Sequence, residues 1–128
     1  MASSRVAEAL GRLALYAADD FSVDDMLRRL GQVAAELLRV DGAGVMAVVT
    51  GSMQRTRFIH ASQQRLEPLE ALQESSQSGP CHDAAVGLLP VVCATPAAFS
   101  RWPTFDAAAR AAGVRAMVAA PLVARGRC

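Results

Sequence analysis

The sequence predicts an α+β domain in which helices pack on an antiparallel sheet. Three observations predict it. Residues 23–38 carry an unbroken apolar stripe at helical spacing. Residues 45–50 and 54–61 are two short runs joined by Gly51-Ser52, which reads as a hairpin. The elements then follow in the order ααββααβαβ, with strands clustered and helices between them.

Taken in order, Val6, Leu10, Leu13 and Ala17 sit at helical spacing, with Arg5, Glu8 and Arg12 elsewhere, and Asp19-Asp20 ends this first helix. Ser22-Val23-Asp24-Asp25 is a capping box with Asp in place of Glu. Val23, Met26, Leu27, Leu30, Val33, Ala34, Leu37 and Leu38 form the stripe, and Arg28, Arg29, Gln32 and Glu36 the wet face. Asp41-Gly42 breaks the pattern. Residues 45–50 are apolar and β-branched, short enough for a strand buried on both faces. Gln54 to Ala61 is its polar-alternating partner.

Pro68, Leu69, Leu72 and Gln73 suggest a short helix, and residues 75–80 a loop. Residues 81–88 read as another short helix. A strand at 90–93 begins on Pro90, where no donor is needed, and Thr95-Pro96 breaks it. Residues 104–112 form a helix closed by Gly113. Residues 114–123 form the last, buried strand, and 124–127 a turn.

The chain has 128 residues and a formal net charge of +1, which bounds it to one domain with one real core. All its basic residues are Arg, and it has neither Lys nor Asn. A P-loop therefore has no phosphate-binding Lys. The Arg residues are scattered among Asp and Glu, so no basic stripe marks a nucleic-acid binder. Aromatic residues do not interleave with Arg on a strand, as single-strand binders require. The N-terminus lacks a signal-peptide core, and no apolar run reaches membrane-span length. Cys81, Cys93 and Cys128 are an odd set at irregular spacing, which argues against disulfides or zinc and for a reducing cytoplasm. No metal or cofactor is expected.

The block Ser78-Gly79-Pro80-Cys81-His82-Asp83-Ala84 is the densest in chemistry. It is followed by Trp102-Pro103 and by Gly113-Val114-Arg115-Ala116 leading to Pro121-Leu122. It is preceded by residues 36–44, Glu-Leu-Leu-Arg-Val-Asp-Gly-Ala-Gly, and by Val45-Met46-Ala47-Val48-Val49. In this order and spacing the chain resembles a GAF domain over residues 22–127. More narrowly, it resembles the sensory half of actinobacterial GAF–ANTAR transcription antitermination regulators.

The resemblance implies an antiparallel sheet flanked by helices and a ligand pocket between the sheet and residues 66–112. It implies a homodimer, with residues 1–21 as a dimerising helix and 22–128 as the sensor domain. The output would be an RNA-binding ANTAR domain, which is not in this chain, so direct nucleic-acid binding is not expected. GAF domains continue with a central strand and a closing helix after Pro121-Leu122. The expectation is thus a truncated chain, or one whose gap a partner covers.

The pocket candidates are Phe58, His60, Cys81, His82, Phe99, Trp102, Phe105, Met117 and Ala119. The aromatic members suit equally an apolar pocket lining and a helix-to-sheet core. Cys81 at a helix start, favoured as thiolate by the helix dipole, suggests a redox or ligand-contacting role. Its bland reading is a small packed residue. Adjacent side chains on a helix diverge by about 100°, so Cys81 and His82 do not make a nucleophile–base pair, and no catalytic residue is expected. The Cys-His pair also lies too early to match bilin-binding GAF domains. Without Asn or Lys the cyclic-nucleotide motif of the family is missing. His60 and His82 read as structural histidines rather than haem ligands.

The expected function is a non-enzymatic regulatory domain that binds an unidentified small molecule. The alternatives are a degenerate GAF domain that only dimerises, and a Cys81-based redox sensor.

Overall fold

The computed structural model describes residues 5–8, 11–12, 22–49 and 54–123. Leu10, Leu13, Ala17, Asp19-Asp20, the Gly51-Ser52 turn, the turn at 124–127 and Cys128 lie outside them. Residues 5–8 and 11–12 are helical. The helices are α1 (Val23–Leu38), α2 (Glu67–Ser76), α3 (Pro80–Gly87) and α4 (Pro103–Ala111). The strands are β1 (Gly44–Val49), β2 (Arg55–Ala61), β3 (Val91–Cys93) and β4 (Met117–Ala119). Short 3-10 segments at Gln64–Leu66 and Pro96–Arg101 precede α2 and α4. The mixed α+β class and the element order are as the sequence predicts. No helix among the described residues is long and apolar enough to cross a membrane.

Among the described residues the strands form two antiparallel pairs, β1–β2 and β3–β4, rather than one continuous sheet. Their lengths also depart from expectation. In the β3–β4 register Val91 faces Ala119, Val92 faces Val118 and Cys93 faces Met117. A strand can be only as long as the ladder it joins. β3 is bounded by Pro90 and by the turn that starts at Pro96, neither of which can donate to a ladder. The apolar run 114–123 therefore yields three strand residues instead of ten. β1 is half-buried rather than buried on both faces, and its last residue, Val49, is exposed. The helix α2 continues through Ser76, into residues read as a loop.

The chain divides into two compact units, one of Met1–Val45 with Ile59–Leu66 and one of Met46–Phe58 with Glu67–Cys128. In the first, the Ser22 hydroxyl accepts the Asp25 N–H at 3.1 Å, the capping contact read from the sequence. Gly31 and Val33 are the buried residues of α1. A Cβ at position 31 would lie 2.9 Å from Val45 and 3.3 Å from the His60 ring. Glycine is thus what allows the helix to approach the strands this closely. Arg12 pairs with Glu36 at 3.0 Å on the surface, where solvent screens the attraction.

The second unit holds the larger core. Phe99, Trp102 and Phe105 are buried, with Leu69, Ala84, Ala85, Cys93, Ala109 and Ala119 around them. Phe99 and Phe105 meet edge to face at 5.7 Å, and Trp102 and Phe105 at 6.4 Å, the arrangement that ring quadrupoles favour.

Candidate functional site

The second unit places its polar chemistry around the start of α3. Gly79 precedes the helix at φ +126°, and Pro80 takes the first helical position, where a missing N–H costs nothing. Glycine offers no capping side chain, so the cap comes from another helix. The Gln73 Oε1 on α2 accepts the Cys81 N–H at 2.8 Å. Gln73 is fully buried, and its Nε2 donates to Glu70 Oε2 at 3.5 Å. Glu70 is only 5% exposed, and burial lifts its carboxyl to about 7.

Cys81 lies against this pair. Its thiol is pushed up to about 12, first by burial and then by the charge of Glu70, with the Gln73 hydrogen bond opposing. The helix dipole that suggested an activated thiolate is overridden, because a thiolate here would be both desolvated and beside a carboxylate. Burial also raises the Cys93 thiol.

Asp83, two residues on, is committed to the core edge. Its Oδ2 accepts the Trp102 indole N–H at 3.1 Å and pairs with Arg101 at 3.6 Å. Arg101 in turn covers the Trp102 ring at 4.6 Å. Asp83 is thereby held to Trp102 and Arg101. The His82 Nδ1 is buried and has no hydrogen-bond partner among the described residues.

Beside α3 lies an open cleft of about 510 Å³. His82, Asp83 and Arg101 form its polar end, and Val86, Leu89 and Val92 contribute an apolar wall. That wall is unusually wet: Leu89 is 69% exposed, and Val92 and its cross-strand neighbour Val118 are each 64% exposed.

Of the nine pocket candidates, His82 lines this cleft. Phe99, Trp102 and Phe105 are packed on one another in the core, and Trp102 holds the cleft's polar end through Asp83. Cys81 sits under the cap, at Gln73. Met117 and Ala119 lie on β4, Ala119 buried and Met117 half-buried. Phe58 is half-buried on β2, with its N–H donated to Glu74 Oε1 at 3.0 Å. His60, further along β2, belongs to the first unit, its buried Nε2 without a hydrogen-bond partner among the described residues.

Sequence reasoning missed Glu70, Gln73, Glu74 and Gln77. One signal was present: Gln73 stands four residues after Leu69, on the same helical face. A polar residue sharing a face with a buried leucine has to find a buried partner.

Among the described residues no group of three His, Cys, Asp or Glu side chains is placed to hold a metal ion. No protein-family model, curated protein or solved structure matches the chain.

Proposed function

We propose that this chain is a regulatory domain of the GAF type, non-enzymatic, that binds a small molecule beside α3 and signals by a shift between two arrangements of its helices. The observation that carries this reading is the cleft. It combines an apolar wall with a small polar end formed by His82, Asp83 and Arg101, the composition of a small-molecule site. Support also comes from the element order. The raised Cys81 thiol favours a packed residue over a nucleophile or redox centre. In the narrower reading, the signal passes to an RNA-binding ANTAR output domain through a homodimer in a cytoplasmic regulator.

Native mass spectrometry of the purified chain, before and after exposure to a small-molecule extract, tests the proposal. A retained small mass that is lost in an Arg101→Ala and Val92→Asp double variant supports ligand binding at the cleft. An empty protein under both conditions sinks it.

A second reading, a domain that only dimerises, is favoured by the packed aromatic core and by the exposed Leu89, Val92 and Val118. An empty dimer in the same experiment is its expected signature.

A further inference from the structure

Two buried polar side chains link the interior of the second unit to the cleft. Glu70 and Gln73 lie one helical turn apart on α2, 5% and 0% exposed. The Gln73 amide is used at both ends, its Nε2 on Glu70 and its Oε1 on the first free N–H of α3. There is no slack around it. A Cβ at position 79 would stand 2.5 Å from Gln73 Oε1 and 2.8 Å from its Cγ. From the capped N–H of Cys81 the helix continues directly to His82 and Asp83, the polar end of the cleft. Asp83 is in turn bonded to the Trp102 indole.

The titratable and charged groups on the helix of Glu70 and on the elements beside it are these. On its own helix are Glu67 and Glu74, the latter bonded to the Phe58 N–H. From α3 come Cys81, whose thiol responds to the Glu70 charge, then His82 and Asp83. From α4, which packs on α2, come Asp106 and Arg110, paired with each other at 3.0 Å. The neighbouring strand β2 carries Arg55 and Arg57. Burial is what holds a proton on Glu70.

We infer that Glu70, Gln73 and the α3 cap form a proton-operated control of the cleft. With Glu70 protonated, Gln73 stays on the Cys81 N–H and the first turn of α3 is fixed. With Glu70 ionised, a buried carboxylate without solvent draws water and the Gln73 amide to itself. Gln73 then leaves the cap, the first turn of α3 loosens, and His82 and Asp83 shift at the cleft. This goes beyond the ligand-binding reading and does not depend on it, because the moving part is the protein.

The chain has a single tryptophan, and it is Trp102, bonded to α3. Its fluorescence, titrated on the full chain from about pH 5 to about pH 9 with far-UV circular dichroism in parallel, reads the switch. The expected result is a transition with a midpoint near 7 that is flat in both Glu70→Gln and Glu70→Leu. The His60→Gln and His82→Gln double variant keeps the midpoint, which separates the carboxyl from the imidazoles. Gln73→Leu, which leaves the carboxyl but cuts the link, flattens the response. A flat profile in the folded wild-type chain overturns the inference. So does a transition that survives both Glu70 substitutions or disappears with the histidines. None of these readouts involves a ligand, so an empty cleft and a failed switch are distinguishable.

Discussion

Gln77 satisfies both backbone polar groups of Thr56. Its Oε1 accepts the Thr56 N–H and its Nε2 donates to the Thr56 carbonyl, each at 2.9 Å. Two residues along, Glu74 accepts the Phe58 N–H. Residues i and i+2 of a strand point the same way, so these side chains follow one edge of β2 as a neighbouring strand would. Gln77 itself is held at φ +49°, with its Nε2 also donating to the Glu74 carbonyl at 2.6 Å.

Gln77→Ala strips that edge. Thr56 is buried, so its N–H and C=O are left without partners at about 1–3 kcal/mol each. The expected loss is at least about 2 kcal/mol in urea unfolding, with faster amide exchange at Thr56. Unchanged exchange there would show that the edge is satisfied by other means.

Gly79→Ala meets two obstacles together. Its φ of +126° with ψ of 176° lies in a region that is essentially reserved for glycine, and the added methyl collides with Gln73. A drop of about 2–4 kcal/mol is expected, measured by thermal unfolding. Gly87→Ala, where the added carbon has open space, is the matched control and is expected to change stability by less than about 1 kcal/mol.

Stability should fall as pH rises from about 4.5 to about 7. Glu70 titrates near 4.5 when exposed and near 7 in the folded chain. The folded state therefore holds a proton that the unfolded chain releases. The stabilising contribution is complete below 4.5, declines between 4.5 and 7, and is absent above 7. The size of this loss is about 3 kcal/mol. Denaturant midpoints measured across that window should decline in the wild type and stay level, on this account, in Glu70→Gln.

Cys81 and Cys93 should resist thiol reagents in the folded chain. Burial raises both thiols, and the thiolate is the reactive form. In a Cys128→Ser background, labelling by an aromatic disulfide at about pH 8 is expected only after denaturation. Prompt labelling of native Cys81 would revive the redox reading.

Phe105→Ala removes the ring that both Phe99 and Trp102 contact edge to face. A cost of about 3–5 kcal/mol is expected from the transfer and cavity terms. Trp102 fluorescence should shift to the red as water reaches the indole.

The fold was legible where a local rule decides the outcome. Ser22 announces α1 because its hydroxyl needs only a residue three positions away. Pro80 and Pro103 mark the starts of α3 and α4, and Thr95-Pro96 ends β3. The length of β4 was not legible, since the run 114–123 is apolar throughout and β3 alone sets how much of it can pair. The site was half legible. Cys81, His82 and Asp83 stood out by chemistry, but the α3 start is capped by Gln73 of α2, itself bonded to Glu70, while Glu74 and Gln77 hold β2. In a pattern of apolar spacing, Glu70, Gln73, Glu74 and Gln77 look like a solvated face. Glu70 and Gln73 are buried and Glu74 and Gln77 half-buried, which depends on where α2 packs; only Gln73, one turn after Leu69, carries a local hint of it. The aromatic trio was open between pocket and core from the sequence; in the structure the three rings are buried and meet edge to face.

The Gln77 and Glu74 seal on β2 has a directional consequence. A two-stranded ribbon normally offers two flanks to any passing strand, and can extend from either. Here the flank at Thr56 and Phe58 is already spoken for by the Glu74 carboxylate of α2 and by the Gln77 amide just past its end, so growth of the β1–β2 ribbon there is one-sided. Any strand recruited beside Thr56 and Phe58, from the same polypeptide or another, meets an edge already occupied, and the open edge is that of β1.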